Sequence, residues 1–277
     1  MNRHKSPLFW GIHAKPPRWL FLILAIIPFL LALLVYLAAS QIRHRDNPQD
    51  KLLPTASQLV NAVNRMAFHK DRRSENYLMF EDTKMSLIRL AIGVLLAALC
   101  GLLVGLNVGI FPGLSALLLS ILTFFAMVPA LAILPILFIV VGLDETSKVT
   151  LIFIGIFPLI ARDMVFVVKK IPKQQITKAL TLGASQWDIT YRIVLPQIIP
   201  RLLESVRLSL GAAWLFLIAA EAISATEGLG YRVFLVRRYL AMDVIIPYVL
   251  WITFIGFCLD WLLRFSVSRF RWYRTEA

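Results

Sequence analysis

The residue types that most often carry out catalysis are few in this sequence, and they are not grouped. The 277 residues include four histidines and two cysteines. No two histidines have the H-E-x-x-H spacing of a zinc hydrolase, and Cys100 and Cys258 both lie inside apolar runs, where a buried thiol is inert. The sequence therefore predicts no catalytic residue and no metal site, and it disfavours an enzyme embedded in the membrane.

Ionisable side chains within apolar segments are the next candidates, because a charge inside a membrane usually has a function. Glu221 stands among alanines, where it either lines or gates a path or pairs with Arg232 or Arg237. We interpret Arg89 as a side chain that reaches to the membrane interface, with a solute ligand as the alternative. The residues predicted to line or gate a translocation path are Phe125, Pro129, Glu221 and Ser224.

A third group of residues, 169–201, combines basic charge with a pattern of two short helices. Pro172 suits the start of the first helix, and Gly183 suits the left-handed residue that ends it. Ser185 suits the cap of the second helix, and Pro196 is expected to stop it. The pattern predicts a sharp helical corner on a charged loop.

Apolar side chains are expected to face outward from this corner. An exposed apolar corner with a tryptophan is typical of a surface that docks into a groove of another protein. The side chains expected on this surface are Ala179, Leu182, Trp187, Ile189 and Ile193. The corner is therefore predicted to bind a protein partner.

Membrane helices are the elements that must position these residues. The sequence is 59% hydrophobic and only 16% charged, and its apolar residues come in long blocks. Since a helix needs about 20 apolar residues to cross a bilayer, we predict an all-α polytopic membrane protein with six transmembrane helices. Pro129 and Pro135 fall inside the third span and are expected to kink or break it. The predicted spans are 20–39, 86–108, 112–141, 147–168, 202–223 and 243–265.

Basic residues set the predicted orientation, because loops rich in lysine and arginine stay in the cytoplasm. The net charge of +13 is interpreted as this topology signal and not as a nucleic-acid site. Both tails and the loop 169–201 are expected in the cytoplasm, and the charge-balanced loop after the first helix is expected outside. The predicted segments are a tail 1–18, a first transmembrane helix 19–40, an external loop 41–85 with a short amphipathic helix, a core 86–266 and a tail 267–277.

At the predicted corner the sequence resembles the membrane subunit of binding-protein-dependent ABC importers. Those permeases have a cytoplasmic loop in which E-A-A is followed by three residues, Gly, nine residues and I-x-L-P. Here Gly183 is followed, after nine residues, by the match at 193–196, while the Glu position holds Thr177 and departs from the pattern. Further matches, from Ser86–Arg89 to Gly228–Tyr231, resemble the nitrate, sulfonate and taurine branch.

The resemblance implies a type I importer permease that pairs with a second copy in the lipid of the bacterial inner membrane, with both termini cytoplasmic. It also implies two ATP-binding subunits, which hold ATP and Mg²⁺, and a periplasmic protein that delivers a small anion such as a sulfonate, taurine or nitrate. This chain has no G-x-x-x-x-G-K-[ST] loop and is expected to bind no cofactor itself. A secondary transporter or channel without an ATPase is the alternative. The residues assigned to coupling are Ala179, Leu182, Gly183, Ala184, Ser185, Trp187, Ile193, Leu195 and Pro196.

Overall fold

The structure, a computed structural model, describes residues 17–48, 50–71 and 75–270. The tail residues 1–16 and 271–277, whose charge contributes to the predicted orientation, lie outside the described residues. Within the described part the chain is helical and has no strand, which confirms the all-α fold. The helices are α1 (Arg18–Asp46), α2 (Ala56–Val63), α3 (Leu78–Ile110), α4 (Pro112–Met127), α5 (Ala130–Val141), α6 (Glu145–Lys169), α7 (Lys173–Thr181), α8 (Gln186–Asp188), α9 (Leu195–Ser224), α10 (Leu229–Arg237) and α11 (Met242–Ser268).

Six candidate membrane spans follow from these helices. Five of them, α1, α3, α6, α9 and α11, belong to segments that are each long and apolar enough to cross a bilayer. α4 and α5 pass the same test only together, and the pair is bent by 96° at its junction. The predicted number of spans is confirmed when this bent pair is counted as one.

Pro129 lies at the break between α4 and α5. Val128 and Pro129 both have extended backbone angles, and the proline has no N–H with which to continue the ladder of α4. Pro135, by contrast, lies inside α5 and does not interrupt it. The predicted discontinuity is therefore present, but at only one of the two prolines.

Three helices extend beyond the spans predicted for them. α3 begins at Leu78 and not near 86, α9 begins at Leu195 and not near 202, and α1 continues to Asp46. The added turns carry charged residues, which the sequence analysis assigned to loops. Asp82, for example, is fully buried in α3 because it has hydrogen-bond partners in the bundle.

A line of glycines lets α3 and α6 pack closely. A Cβ built on Gly101 would lie 2.8 Å from the side chain of Ile160, and one built on Gly105 would lie 2.4 Å from Cβ of Met164. Real Cβ atoms do not approach one another so closely, so only glycine allows this separation of the two helices. α3 and α6 therefore form the tightly packed centre, which α4, α5 and α9 contact.

α1 stands apart from this centre. Its most apolar stretch has no buried residue, and the Tyr36 hydroxyl donates to the carbonyl of Pro54 at 2.8 Å. The chain after α1 folds back into α2, where Thr55 and Gln58 form a capping box, as the sequence predicts. An apolar helix with so little buried surface is suited to contact lipid or another chain.

Candidate functional site

The first candidate site is the helical corner between α7 and α8. Gly183 ends α7 with a φ of +82°, and its N–H and that of Ala184 each donate to a carbonyl of the last turn at 3.0 Å. These two bonds form a Schellman cap. Ser185 and Asp188 then cap α8 through reciprocal hydrogen bonds. The corner is therefore present where the sequence predicts it, and hydrogen bonds fix its turn.

Two large apolar side chains project from the corner. The exposed fraction is 79% for Leu182 and 72% for Trp187. The Trp187 ring stacks on Tyr191, with ring centroids 5.4 Å apart, so that the indole is held in one orientation. Gly183 and Ser185 are exposed beside them. Large apolar side chains that are exposed and held rigidly are typical of residues that insert into a pocket of a partner protein.

The other residues assigned to docking lie mostly on the inner face of the corner. Ala179 and Ile189 are buried, so the prediction that they face outward is wrong. They pack in one apolar cluster with Leu106 of α3 and Val168 of α6, because this face of α7 is covered by the bundle. Three further residues assigned to coupling are partly buried against the same cluster, namely Ala184, Ile193 and Leu195. The corner is therefore attached to two membrane helices.

A continuous helical path joins the corner to the opposite end of the bundle. After α8 the chain makes a π-helical turn, Ile189–Val194, and passes without a break into α9. The prediction that Pro196 stops the second helix is wrong, because the helix continues past this proline, which lies in the first turn of α9 directly after the π-helical turn. Ser205 of α9 donates to Asp163 of α6, which ties the two helices together.

The second candidate site is a cluster of buried charges around Glu221, near the far end of α9. Ser86 Oγ donates to both carboxylate oxygens, at 2.7 and 2.9 Å. Nη1 of Arg89 donates to Oε1 at 2.8 Å, and the N–H of Gly230 donates to Oε2 at 2.8 Å. The Glu221 side chain is completely buried. Its charge is thus held in place by donors from α3 and α10.

Arg89 lies at the centre of the same cluster. Its side chain is only 2% exposed, so the prediction that it reaches to the membrane interface is wrong. Nε and Nη2 donate to the two carboxylate oxygens of Glu145, and Nη1 also donates to the carbonyl of Glu227 at 2.8 Å. Lys148 Nζ donates to Glu145 at 2.7 Å. One guanidinium therefore joins α3 to α6 and to the segment that follows α9.

Asp82 anchors the other side of the cluster. It accepts hydrogen bonds from the N–H of Gly228 at 2.9 Å and from Nε of Arg232 at 2.8 Å. The Tyr248 hydroxyl of α11 donates to it at 3.0 Å. Burial opposes the charge of Arg232, but the hydrogen bonds and charge of Asp82 outweigh it and raise the pKa of the guanidinium. The Arg232 guanidinium is therefore held in its charged form beside Asp82.

Charges in the cluster balance one another. A structural ion pair of Glu221, for instance with Arg232 or Arg237, is one of the two alternatives left open by the sequence; Glu221 does form an ion pair, but its partner is Arg89, and Arg232 pairs with Asp82. A buried charge is tolerated only when it is paired and hydrogen-bonded. The carboxylates are Asp82, Glu145 and Glu221, and the cations are Arg89, Lys148 and Arg232.

The segment Gly228–Gly230 fits against the charges because both of its ends lack a side chain. A Cβ on Gly228, whose φ is +126°, would lie 2.6 Å from the carboxylate of Glu221 and 2.7 Å from Nη1 of Arg89. A Cβ on Gly230 would lie 2.7 Å from the carbonyl of Ile218. The two glycines thus allow backbone N–H groups to reach the buried carboxylates.

The four residues predicted for the path or gate lie in two places. Phe125 and Pro129 are at the break between α4 and α5, whereas Glu221 and Ser224 are in the last turns of α9. α5 and α9 contact each other through a shared apolar cluster. Phe125 is about half exposed, but the carboxylate of Glu221 faces its partners and no open path. Glu221 therefore joins α9 to α3 and α10.

Asp82 and Tyr248 are members of the cluster that are not among the candidates predicted from the sequence. Asp82, Ser86 and Arg89 recur at intervals of four and three residues, which places them on one face of α3. This spacing is a usable signal for a polar face inside the membrane. Tyr248 gives no local signal, because its partner Asp82 is 166 residues away in the sequence.

Among the known proteins similar to this chain are several transport permeases. A sequence model described as "Binding-protein-dependent transport system inner membrane component" matches residues 90–272. The taurine transport system permease protein TauC of Escherichia coli is 36% identical over 186 residues, which cover 67% of this chain and 68% of TauC. The nitrate import permease protein NrtB of Leptolyngbya laminosa is 28% identical, with 69% of this chain and 68% of NrtB covered.

A putative aliphatic sulfonates transport permease protein, SsuC of Bacillus subtilis, is also similar. It is 28% identical over 67% of this chain and 67% of its own length. Among solved structures, an inward-facing MetNI methionine ABC transporter contains a chain that aligns with a TM-score of 0.57 and 20% identity, covering 71% of this chain and 99% of that chain. At this identity the likeness concerns the fold alone.

Proposed function

This chain belongs to the family of binding-protein-dependent transport system inner membrane components, which are ABC transporter permeases, and we propose that it docks a separate ATPase subunit on its helical corner. The observation that carries the proposal is the exposure of Leu182 and Trp187 on a turn fixed at both helix ends. Large side chains held rigidly outside a folded core are typical of an interface anchor. We assign these two side chains to the centre of the contact.

The inner face of the corner suits it to transmit motion. Ala179 and Ile189 pack against α3 and α6, and the chain continues through the π-helical turn into α9. When the ATPase subunits close on ATP, the corner moves as a rigid body with its groove and α9 moves with it. The motion reaches the buried charge cluster, because Glu221 belongs to α9.

The orientation that this mechanism requires agrees with the basic residues around the corner. The segment 169–201 carries six lysines and arginines against one aspartate, as a cytoplasmic loop does. In this orientation both termini are cytoplasmic, and the turn at Gly142 and the segment Gly228–Gly230 face the periplasm of a bacterial cell. A periplasmic binding protein delivers the solute on that side of the inner membrane, and two ATPase subunits hold ATP and Mg²⁺ on the other.

We further infer that the permease works as a pair of identical chains and that its solute is a small anion. α1 and the outer faces of the bundle expose apolar surface that lipid and a second copy would cover. The relatives TauC, SsuC and NrtB are named for taurine, aliphatic sulfonates and nitrate, which all carry an oxyanion group. Phe125 and Pro129 are assigned to the constriction of the path, with Glu221 and Ser224 holding the adjacent end of α9.

Reconstitution into lipid vesicles tests the proposal. Vesicles that contain the permease with its ATPase subunits and binding protein are expected to accumulate taurine, aliphatic sulfonates or nitrate only when ATP is supplied on the side of the corner. Vesicles with the permease alone are the control and should accumulate none of these solutes. Uptake that persists without the ATPase subunits would instead indicate a secondary transporter or channel.

A further inference from the structure

The buried charge cluster reaches the protein surface at one residue, Glu145. The carboxylate of Glu145 binds two buried cations, Arg89 and Lys148. The Glu145 side chain is 55% exposed, whereas Arg89 and Lys148 are each only 2% exposed. The cations therefore cannot reach water by themselves, and Glu145 is the group that separates them from it. An exposed group with buried partners is the member of such a cluster that can be replaced from outside.

The donors that hold Glu145 form a site shaped for an oxyanion. Nε and Nη2 of Arg89 point to the two oxygens of one carboxylate, and Nζ of Lys148 approaches one of them at 2.7 Å. A guanidinium fork of this kind binds any planar or tetrahedral group that presents two oxygens side by side, including a carboxylate, a sulfonate and nitrate. The carboxylate of Glu145 occupies the position that such a group would take.

The charge balance of the site selects a ligand group that carries a single negative charge. Glu221 neutralises one of the two positive charges, and it is fully buried and bonded to Ser86 and Arg89 at once. When the Glu145 side chain rotates away, the two positive charges of Arg89 and Lys148 face only the negative charge of Glu221. One positive charge is then left without a partner. A single anionic group restores the balance, whether the solute is an anion or a zwitterion such as taurine, whereas a solute without an anionic group leaves a buried charge unpaired.

Glu145 is placed where it can leave without unfolding a helix. It is the first residue of α6, directly after the cap at Asp144 and close to Gly142, whose φ is +92°. A side chain rotation carries its carboxylate into solvent, where water replaces the lost hydrogen bonds. Arg89, inside α3, and Lys148, in the first turn of α6, are both buried and stay in place.

We propose that Arg89 and Lys148 form an anion-binding site that Glu145 closes with its own carboxylate and opens to the sulfonate or other monoanionic group of the solute. This inference rests on the proposed function, because it supplies that transport cycle with a receiving site on the permease itself. The tethered carboxylate competes with the solute, so the site holds an anion only briefly and releases it when Glu145 returns.

The test measures anion binding to the purified full-length permease without ATPase subunits or binding protein. Thermal unfolding is followed during titration with sodium methanesulfonate, a small monoanion, and with dimethyl sulfone as its neutral analogue. Glu145→Gln removes the competing charge and should lower the concentration of half-maximal stabilisation by about tenfold or more relative to the unmodified chain. Glu145→Asp has a side chain that is one methylene shorter, and its concentration of half-maximal stabilisation should lie between those of the unmodified chain and Glu145→Gln. This variant also provides the test if Glu145→Gln does not fold.

The double variant Glu145→Gln with Lys148→Gln is the matched control. It lacks one of the two cations and should show no saturable stabilisation by methanesulfonate. The proposal is overturned if Glu145→Gln and Glu145→Asp respond like the unmodified chain, if the double variant responds like Glu145→Gln, or if dimethyl sulfone acts as well as methanesulfonate. Because no ATPase subunit is present, these outcomes are independent of whether the corner docks one.

Discussion

Nη1 of Arg89 lies 2.8 Å from Oε1 of Glu221, and this contact joins α3 to α9 between two side chains that are almost completely buried. The same guanidinium binds Glu145 at the start of α6, so three membrane helices meet at one charge. The Arg89–Glu221 pair is stable only when both members are present, because water cannot reach either of them. The cluster therefore fixes the end of the bundle opposite the corner.

Glu221→Ala is expected to destabilise the permease by about 3–5 kcal/mol, because it leaves a buried guanidinium short of a partner and frees the hydroxyl of Ser86. Thermal unfolding of the purified chain in detergent measures the loss. Arg65→Ala is the matched control, since Arg65 forms an exposed ion pair with Asp243 at 3.5 Å. That change should cost less than about 1 kcal/mol. Equal effects of the two changes would show that the buried pair does not hold the bundle.

Gly228→Ala should prevent the normal packing of the segment between α9 and α10. The added methyl group would lie 2.6 Å from the Glu221 carboxylate, and φ of +126° is unfavourable for any residue with a Cβ. We expect little monodisperse protein in gel filtration. Gly113→Ala is the control, because a Cβ there meets nothing within 4 Å, and this variant should be recovered at the normal yield. Normal recovery of Gly228→Ala would contradict the close approach.

Gly105→Ala should separate α3 from α6, because the new Cβ would lie 2.4 Å from Cβ of Met164 and 2.7 Å from the carbonyl of Ala161. Overpacking of this kind typically costs about 1–3 kcal/mol, measurable as a lower unfolding temperature. Gly211→Ala in α9 makes the same change in open space and should be neutral or slightly stabilising, since alanine favours helix. If both variants unfold alike, close packing of the two helices is not what requires glycine.

The number of spans and the corner could be predicted because both depend on local patterns. Long apolar runs indicate membrane helices regardless of what they contact. The corner depends on Gly183 and on the cap at Ser185, which act within a few residues of the chain. For the same reason the capping box at Thr55 was predictable.

The charge cluster could not be assembled from the sequence, because its contacts are long-range. Glu221 meets Arg89 across 132 residues, and Asp82 meets Tyr248 across 166. The sequence predicts a loop for the charged residues at the start of α3, since a charge in isolation avoids the membrane. Their burial becomes favourable only when partners from α9, α10 and α11 are present. The inner face of the corner is mispredicted for a similar reason. An apolar residue such as Ile189 can pack against a partner or against the bundle, and the sequence does not distinguish the two.

The left-handed conformation of Gly183 gives a prediction for the corner itself. A Cβ there meets nothing within 4 Å, so a substitution acts through the backbone angle and not through a clash. Gly183→Val should cost about 1–2 kcal/mol in the turn and weaken stimulation of the ATPase by the permease. Gly183→Asn should retain most of that stimulation, because asparagine tolerates this conformation. Equal ATPase rates with the two variants would show that the turn is not needed for coupling.

The measurement that tests the central claim most directly is the amount of ATPase subunit that co-purifies with the permease from membranes. The variant Leu182→Ser with Trp187→Ser is compared with Phe68→Ser. This control removes an apolar side chain that is 66% exposed from the π-helical turn Asn64–Phe68, which follows α2. We expect the corner variant to retain at least about tenfold less ATPase subunit and the Phe68 variant to retain the normal amount. Normal retention by the corner variant would contradict docking at the corner.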